Sequence, residues 1–423
     1  MRGTILPRAP LLWILVLLLV LLRASSENQS MTTTMTTTTT TTTTMVPLGP
    51  GKTFEVAAPP PSPSSPFSSS PRLKVAYAVT VSKDGNFFDG AAVLGWSILR
   101  AHRRSSYDID LVAIVYKEAQ VAKRKFNWLT EHGMPWRVLV RDLPIVLADI
   151  PNKLYRERLP KSGCCGELEL LKLWAWSLTE YHRVVHLDMD SLVLQNIDEL
   201  YGIDRDMVYT EDWLMASKNT KVAPAQGGFL LIRPSDEVFK HMVALVQEGD
   251  WRGGQGAWGG SGIGYFYGGP TIQGFVPYYF TVVRPGSALI VERCVYNNMA
   301  DNPYWGGTKD CRDRTPGGNC SDCRKWPIGG VKNTHFTICQ KPWNCVNAWH
   351  GLCAQLHQKW FDIRLDLEKV LLKTYRGSAL DPQAAGGGSS AGAAIRKKKY
   401  GFCAGGGKSA YRPIPAGVVV GRR

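Results

Sequence analysis

Between residues 73 and 249, apolar runs of strand length alternate with runs of helical spacing, and this alternation restricts the fold more than any other feature. LKVAYAVTVS (73–82), IDLVAIVY (109–116) and WRVLVRDL (136–143) are rich in β-branched residues and read as strands. DGAAVLGWSILRAH (89–102) and residues 118–132 carry their apolar positions on one helical face. Strands separated by helices join as parallel neighbours through crossovers, so the chain is expected to be an α/β protein with parallel strands and flanking crossover helices. GELELLKLWAWSLTEYH (166–182) predicts a further helix, with Leu170, Leu171, Trp174, Leu178 and Tyr181 on its buried face. A fourth strand is expected through RVVHLDMDSLVL (183–194), a fifth through GGFLLIRPS (227–235), and a helix over 235–249. Gly227 and Gly228 leave room for a group to approach that fifth strand closely.

The fourth strand raises a chemical question. Asp188 and Asp190 sit two residues apart in an apolar run, and in an extended chain residues i and i+2 face the same way. Two converging carboxylates without a counter-charge cost several kcal/mol or take up protons. A divalent cation that prefers oxygen ligands would satisfy them, as would a neighbouring Lys or Arg. Asp-x-Asp alone is common, and a strand turning into solvent carries it equally well. Its place toward the C-terminal end of a strand in an open α/β sheet is where ligands bind.

The ends read differently. LLWILVLLLVLL (11–22) follows Arg2 and Arg8 and precedes small residues, so residues 1–24 are expected to be a signal peptide or a short membrane anchor. Residues 25–72, with a Thr run and a Pro/Ser run, predict an O-glycosylated stalk. A catalytic or binding domain is expected over 73–383, and a disordered basic tail over 384–423. The formal charge of +15 is concentrated outside the core, because the last 40 residues carry eight Lys and Arg and no acid. The core is nearly balanced, and no nucleic-acid partner is expected. Of ten cysteines, seven lie between 294 and 353, which in an oxidising lumen predicts a disulfide-stapled segment. Cys320 and Cys323 have half of a zinc-site spacing but no matching second pair at zinc-finger distance.

The Gly- and aromatic-rich stretch 251–279 reads as a loose loop or as a sugar-stacking wall. Neither a G-x-x-x-x-G-K-[ST] loop nor a G-x-G-x-x-G after the first strand is present, so the common phosphate-loop readings lack their signatures.

Four ordered blocks, AVLGWSILRAH, KLWAWSLTEYHRVVHLDMDSLVLQNIDELY, GGFLLIRPS and HFTICQKPWN (335–344), resemble glycosyltransferase family 8, the glycogenin-like retaining enzymes of GT-A fold. The resemblance implies a Rossmann-like mixed sheet with flanking helices, and a transferase that moves a hexosyl-type sugar from a UDP-sugar to a carbohydrate, glycoprotein or glycolipid acceptor in the Golgi lumen or elsewhere along the secretory pathway. It implies Mn²⁺ held by Asp188, Asp190 and His335, with Met189 between the ligands. It further implies the nucleotide base at Val79, Thr80 and Val81, Lys172 toward the donor, and Lys341 on the leaving diphosphate. Gln226 takes the place of the family's Asn. The family's Asp-Gln-Gly segment has no Asp here, and its Gln is Gln273 or Gln255, with Gln273 preferred. Ile338 replaces a family Gly. These departures leave a second reading, a catalytically weak secreted glycan-binding or wall-associated protein on the same fold.

Overall fold

A computed structural model describes residues 43–57, 71–346, 351–374 and 399–414. The apolar run 11–22, most of the Thr run and the Pro/Ser run lie outside the described residues. The elements are, in order, β1 (Thr43–Gly49), β2 (Lys52–Ala57), β3 (Lys74–Val81), α1 (Phe88–Ala101), β4 (Asp108–Tyr116), α2 (Gln120–Glu131), β5 (Trp136–Arg141) and α3 (Lys153–Arg158). A 3-10 helix (Gly166–Ser177) precedes β6 (Arg183–Leu187), β7 (Ser191–Val193), β8 (Met207–Glu211), β9 (Ala225–Ile232), α4 (Asp236–Glu248) and α5 (Ile272–Tyr278). Then follow β10 (Ala288–Ile290), α6 (Arg293–Tyr296), β11 (Asn333–His335) and α7 (Gly351–Thr374).

Seven strands form one mixed sheet in the order β10, β8, β9, β6, β3, β4, β5. β3 pairs in parallel with both β4 and β6, and β4 with β5, as the alternation of strand and helix predicts. β9 is the exception, running antiparallel to β6 and β8. Side chains alternate between the two faces of each central strand, so Val75, Tyr77, Val79 and Val81 enter one core while Ala76 and Ala78 enter the other.

Three sequence expectations change. The helix predicted over 166–182 is a 3-10 helix that ends at Ser177. Three residues per turn bring Leu170, Leu173 and Trp176 into one fully buried row, which an α-helical period would splay, while Trp174 is left half-buried. The strand predicted over 183–194 breaks after Leu187, and the chain turns through Asp188–Asp190, closed by the Ser191 N–H donating to the Asp188 carbonyl at 3.0 Å. β7 leaves the main sheet and pairs antiparallel with β11. The acidic pair therefore sits on a turn, and strand alternation is not what makes it converge.

The third change concerns the ends. Within the segment read as a stalk, β1 and β2 form an antiparallel hairpin whose Val46 and Val56 join the core, with the Glu292 N–H donating to the Pro47 carbonyl at 3.0 Å. Within the segment read as a disordered tail, residues 399–414 pack on α7. The Arg364 guanidinium, fully buried, bonds Asp89 Oδ2 at 2.8 Å and Glu368 Oε1 at 2.6 Å and also meets Tyr411 Oη. Asp89 further accepts from Tyr411 Oη at 2.7 Å and from the Ile414 N–H at 2.8 Å. A buried cation needs this many partners to offset its lost hydration.

Disulfides join Cys294 to Cys323, Cys311 to Cys320, Cys339 to Cys353 and Cys345 to Cys403. Cys320 and Cys323 thus go to different partners, which removes the zinc reading. No helix among the described residues is long and apolar enough to cross a membrane.

Candidate active site

The turn after β6 is held from below by α1. A β-carbon at Gly90 would lie 2.4 Å from the Met189 carbonyl oxygen and 2.5 Å from the Trp343 ring, so only glycine lets the helix approach the turn this closely. β11 brings His335 to the same place from far along the chain, because its register sets His335 opposite Ser191. One ligand atom each from Asp188, Asp190 and His335 lie within 4.8 Å of one another. His335 Nε2 stands 3.1 Å from Asp190 Oδ1 and 3.8 Å from Asp188 Oδ2. Asp190 and His335 are buried, and Asp188 is half-buried.

Two lysines supply the counter-charges. Lys341 Nζ lies 2.5 Å from Asp190 Oδ2 and donates to the Phe336 carbonyl at 2.7 Å. Lys172 Nζ is 2.8 Å from Asp188 Oδ1 and 3.1 Å from Glu169 Oε2, and it donates to the Gly227 carbonyl at 3.0 Å. Lys172 thus pairs at once with Glu169 on its own helix and with the acidic turn. Burial alone would raise the Asp190 carboxyl, but His335 and Lys341 outweigh it and hold the group well below the usual carboxylate range. Burial works against charge on Lys172 as well, yet Asp188 and Glu169 keep it well above the ordinary lysine value. For His335 burial lowers and Asp190 raises, with the net shift upward.

Around this centre the structure places the other sequence candidates. Gln226 is buried on β9, its Oε1 accepting from the Gly228 N–H at 2.6 Å and its Nε2 facing Asp212 Oδ2 at 3.3 Å. The room predicted beside the glycine pair is taken by His335 over Gly228 and by Lys172 and Gln273 over Gly227. Gln273, on α5, also reaches Gly268, whose added β-carbon would stand 2.4 Å from its Oε1. Gln255 is exposed in the loop closed by the Trp251–Trp258 bridge. Gln273 is thus brought beside Gly227 and Lys172 while Gln255 is not, and the position before Gln273 is the fully buried Ile272. Val79 and Val81 point into the core, while Thr80 faces the other way and its Oγ1 lies 2.8 Å from His186 Nε2. Burial and Lys172 push that imidazole down to about 3, so His186 is neutral. Ile338 is exposed between His335 and Lys341.

Asp212 was not among the sequence candidates. It is buried beside Gln226, accepts from the Leu214 N–H at 3.1 Å, and its carboxyl is pushed up to about 6 by burial and then by Asp301. The available signal was an acid closing the apolar strand MVYTE at the same sheet edge as Asp188.

Two carboxylates and an imidazole, two of the three buried and the set backed by two ammonium groups, fit a divalent cation that accepts mixed oxygen and nitrogen ligands and can in turn meet an anionic ligand. The mixed sheet with flanking helices, carrying this acidic turn at the end of a central strand, defines an α/β fold of Rossmann-like architecture. In sequence the chain is similar to plant glucuronosyltransferases and to glycogenins. It is 27% identical over 312 residues to inositol phosphorylceramide glucuronosyltransferase 1 of Arabidopsis thaliana, a match that covers 72% of this chain and 48% of that protein. It is 34% identical over 184 residues to glycogenin-1 of Homo sapiens, covering 42% of this chain and 45% of that protein. The chain spans less than half the length of these curated relatives. No family model matches it. The solved galactosyltransferase LgtC with donor and acceptor sugar analogues aligns over 70% of this chain and 96% of its own, at a TM-score of 0.43 and 14% identity.

Proposed function

We propose that this protein is a retaining glycosyltransferase that moves a hexosyl-type sugar from a UDP-sugar to a glycan, glycoprotein or glycolipid in the lumen of the secretory pathway, the Golgi being its expected station. The observation that carries the reading is the convergence of Asp188, Asp190 and His335 within 4.8 Å, flanked by Lys172 and Lys341. Asp188, Asp190 and His335 would hold Mn²⁺, which suits a mixed oxygen and imidazole shell better than Mg²⁺ or Ca²⁺. A bound dication there supplies charge stabilisation to the leaving diphosphate.

The chain's own groups do the remaining work. Lys341, already fixed against Asp190, presents a second positive charge to the diphosphate as negative charge develops on it. Lys172 holds Asp188 in place from the opposite side. The end of β3 at Val79, Thr80 and Val81 offers backbone to the nucleotide base, with His186 fixing the Thr80 hydroxyl. Gln273 and Gln226 orient the sugar, Gln273 from α5 and Gln226 from β9. The proton of the acceptor hydroxyl passes to the departing phosphate oxygen, so no strong protein base is required. Four disulfides among the described residues support the lumenal address.

UDP-sugar turnover measured with Mn²⁺, with EDTA, and in Asp190→Ala tests the reading. Turnover that survives both EDTA and the substitution rules it out. A screen of UDP-glucose, UDP-glucuronate, UDP-galactose and UDP-N-acetylglucosamine by hydrolysis identifies the donor.

A second reading, a glycan-binding or wall-associated protein with little turnover, is favoured by buried Ile272 in front of Gln273, where the family's acid would stand. Calorimetry separates the two, since Mn²⁺-dependent UDP binding supports the first and its absence the second.

A further inference from the structure

Eight of the ten cysteines are paired, and the remaining two, Cys164 and Cys165, are adjacent in sequence at the rim of the candidate site. Their Sγ atoms lie 3.0 Å apart. Cys164 is exposed, and its thiol donates to Glu169 Oε1 at 2.8 Å; Cys165 is half-buried, with Ser82 Oγ at 3.8 Å. Glu169 Oε2 in turn holds Lys172 at 3.1 Å, and Lys172 holds Asp188 at 2.8 Å. A continuous chain of polar contacts thus runs from the thiol pair to the acidic turn.

We propose that Cys164 and Cys165 form a thiol–disulfide exchange site that closes to a vicinal disulfide with a small-molecule disulfide such as oxidised glutathione, and that its state sets how firmly Lys172 holds Asp188. The coupling to Asp188 rests on the transferase reading; the exchange chemistry does not. Cys165 Sγ, toward which the Ser82 hydroxyl donates at 3.8 Å, supplies the attacking thiolate. Cys165 Sγ attacks one sulfur of the glutathione disulfide, forming a mixed disulfide and expelling one glutathione thiolate. Cys164 then gives its proton to the Glu169 carboxylate 2.8 Å away and attacks Cys165 Sγ, expelling the second glutathione thiolate, which takes up that proton. Two protein thiols are oxidised and one glutathione disulfide is reduced to two thiols, so atoms and electrons balance. Neighbouring Cα atoms stand about 3.8 Å apart across a trans peptide, closer than the usual disulfide span, so the bridge is strained and reducible beside the four structural ones. Closure removes the Cys164 donor from Glu169, whose freed charge then draws Lys172 away from Asp188.

The test uses the full chain in glutathione buffers of graded ratio, followed by alkylation and peptide mass analysis. The expected result is that the Cys164–Cys165 peptide changes between a doubly alkylated form and an unalkylated form lighter by two hydrogens, while the other eight cysteines stay unalkylated throughout. UDP affinity in the presence of Mn²⁺ is expected to be about three- to tenfold weaker in the closed form, the worth of one hydrogen bond. Cys164→Ser keeps the hydrogen-bond donor, cannot close the bridge, and is expected to retain the reduced-form affinity under every buffer. A pair that stays fully alkylatable with excess oxidised glutathione overturns the exchange site, as does protection of the reduced pair that EDTA abolishes, which marks a bound metal instead. Equal UDP affinity in the two forms overturns the coupling. If UDP binds neither form, the transferase reading fails while the alkylation result still decides the exchange site.

Discussion

Gly228 lies directly under the imidazole of His335, so closely that a β-carbon there would stand 2.5 Å from Cε1 and 2.6 Å from Nδ1. The ring is buried and paired with Asp190, in an interior where side chains are close-packed. Gly228→Ala is therefore expected to displace His335 from the acidic turn and weaken Mn²⁺ binding by about 10- to 100-fold, the range seen when a ligand's support is removed. Mn²⁺ titration followed by calorimetry, with circular dichroism to verify folding, checks this. Unchanged metal affinity in a folded variant would refute the assignment of His335 as a ligand.

The sequence offers Gln273 and Gln255 as substitutes for the family's Gln and favours Gln273, and the two stand in different surroundings. With Gln273 against Gly227 and Gly268, and Gln255 exposed, Gln273→Ala is expected to lower kcat by up to about a hundredfold through lost positioning. The Kd for UDP should not move. Gln255→Ala should leave both unchanged. Steady-state kinetics on the donor found by hydrolysis distinguishes the two, and an equal loss in both variants contradicts the placement.

Asp212 gives a pH dependence of defined sign. Its folded carboxyl is raised to about 6 by burial and Asp301, against about 3.9 in an unfolded chain. Between these values the folded state binds more protons than the unfolded state, so this group's contribution to stability is full below about pH 4 and is lost as pH rises through about 6. The loss amounts to about 3 kcal/mol for a fully buried group. Urea unfolding in EDTA at pH 4.5 and 7 should show this decline in the natural sequence and a smaller one in Asp212→Asn. Identical pH slopes would show that Asp212 titrates normally.

Cys403 anchors the segment 399–414 to Cys345, 58 residues earlier, beside the buried cluster of Asp89, Arg364 and Tyr411. Replacing both cysteines with Ala is expected to cost about 3 kcal/mol, because the unfolded chain regains the entropy of that loop. Chemical denaturation midpoints measure it. The loss should be matched by exposure of residues 399–414 to proteolysis, and a variant as stable and as resistant as the parent shows that the segment is held without the bridge.

What the sequence by itself determined was local or periodic. The order of strands and helices from β3 to β5 follows from side-chain period, and each element buries the face its own pattern defines. The ordered motifs also named Asp188, Asp190, His335 and Lys341 before any contact between them was visible. Tertiary structure decided what depends on distant partners. β7 is drawn out of the main sheet by β11, which begins 142 residues after Ser191 and turns Asp188–Asp190 into a cation-sized cluster. The 3-10 helix is chosen over an α-helix because three-residue spacing stacks Leu170, Leu173 and Trp176 against the sheet. Thr-, Gly- and Lys-rich ends that read as unstructured gain order where Val46, Val56, Cys403 and Tyr411 meet surfaces supplied by the rest of the chain. Composition reports how much apolar area a segment carries, but a core made elsewhere decides whether a few such residues are enough.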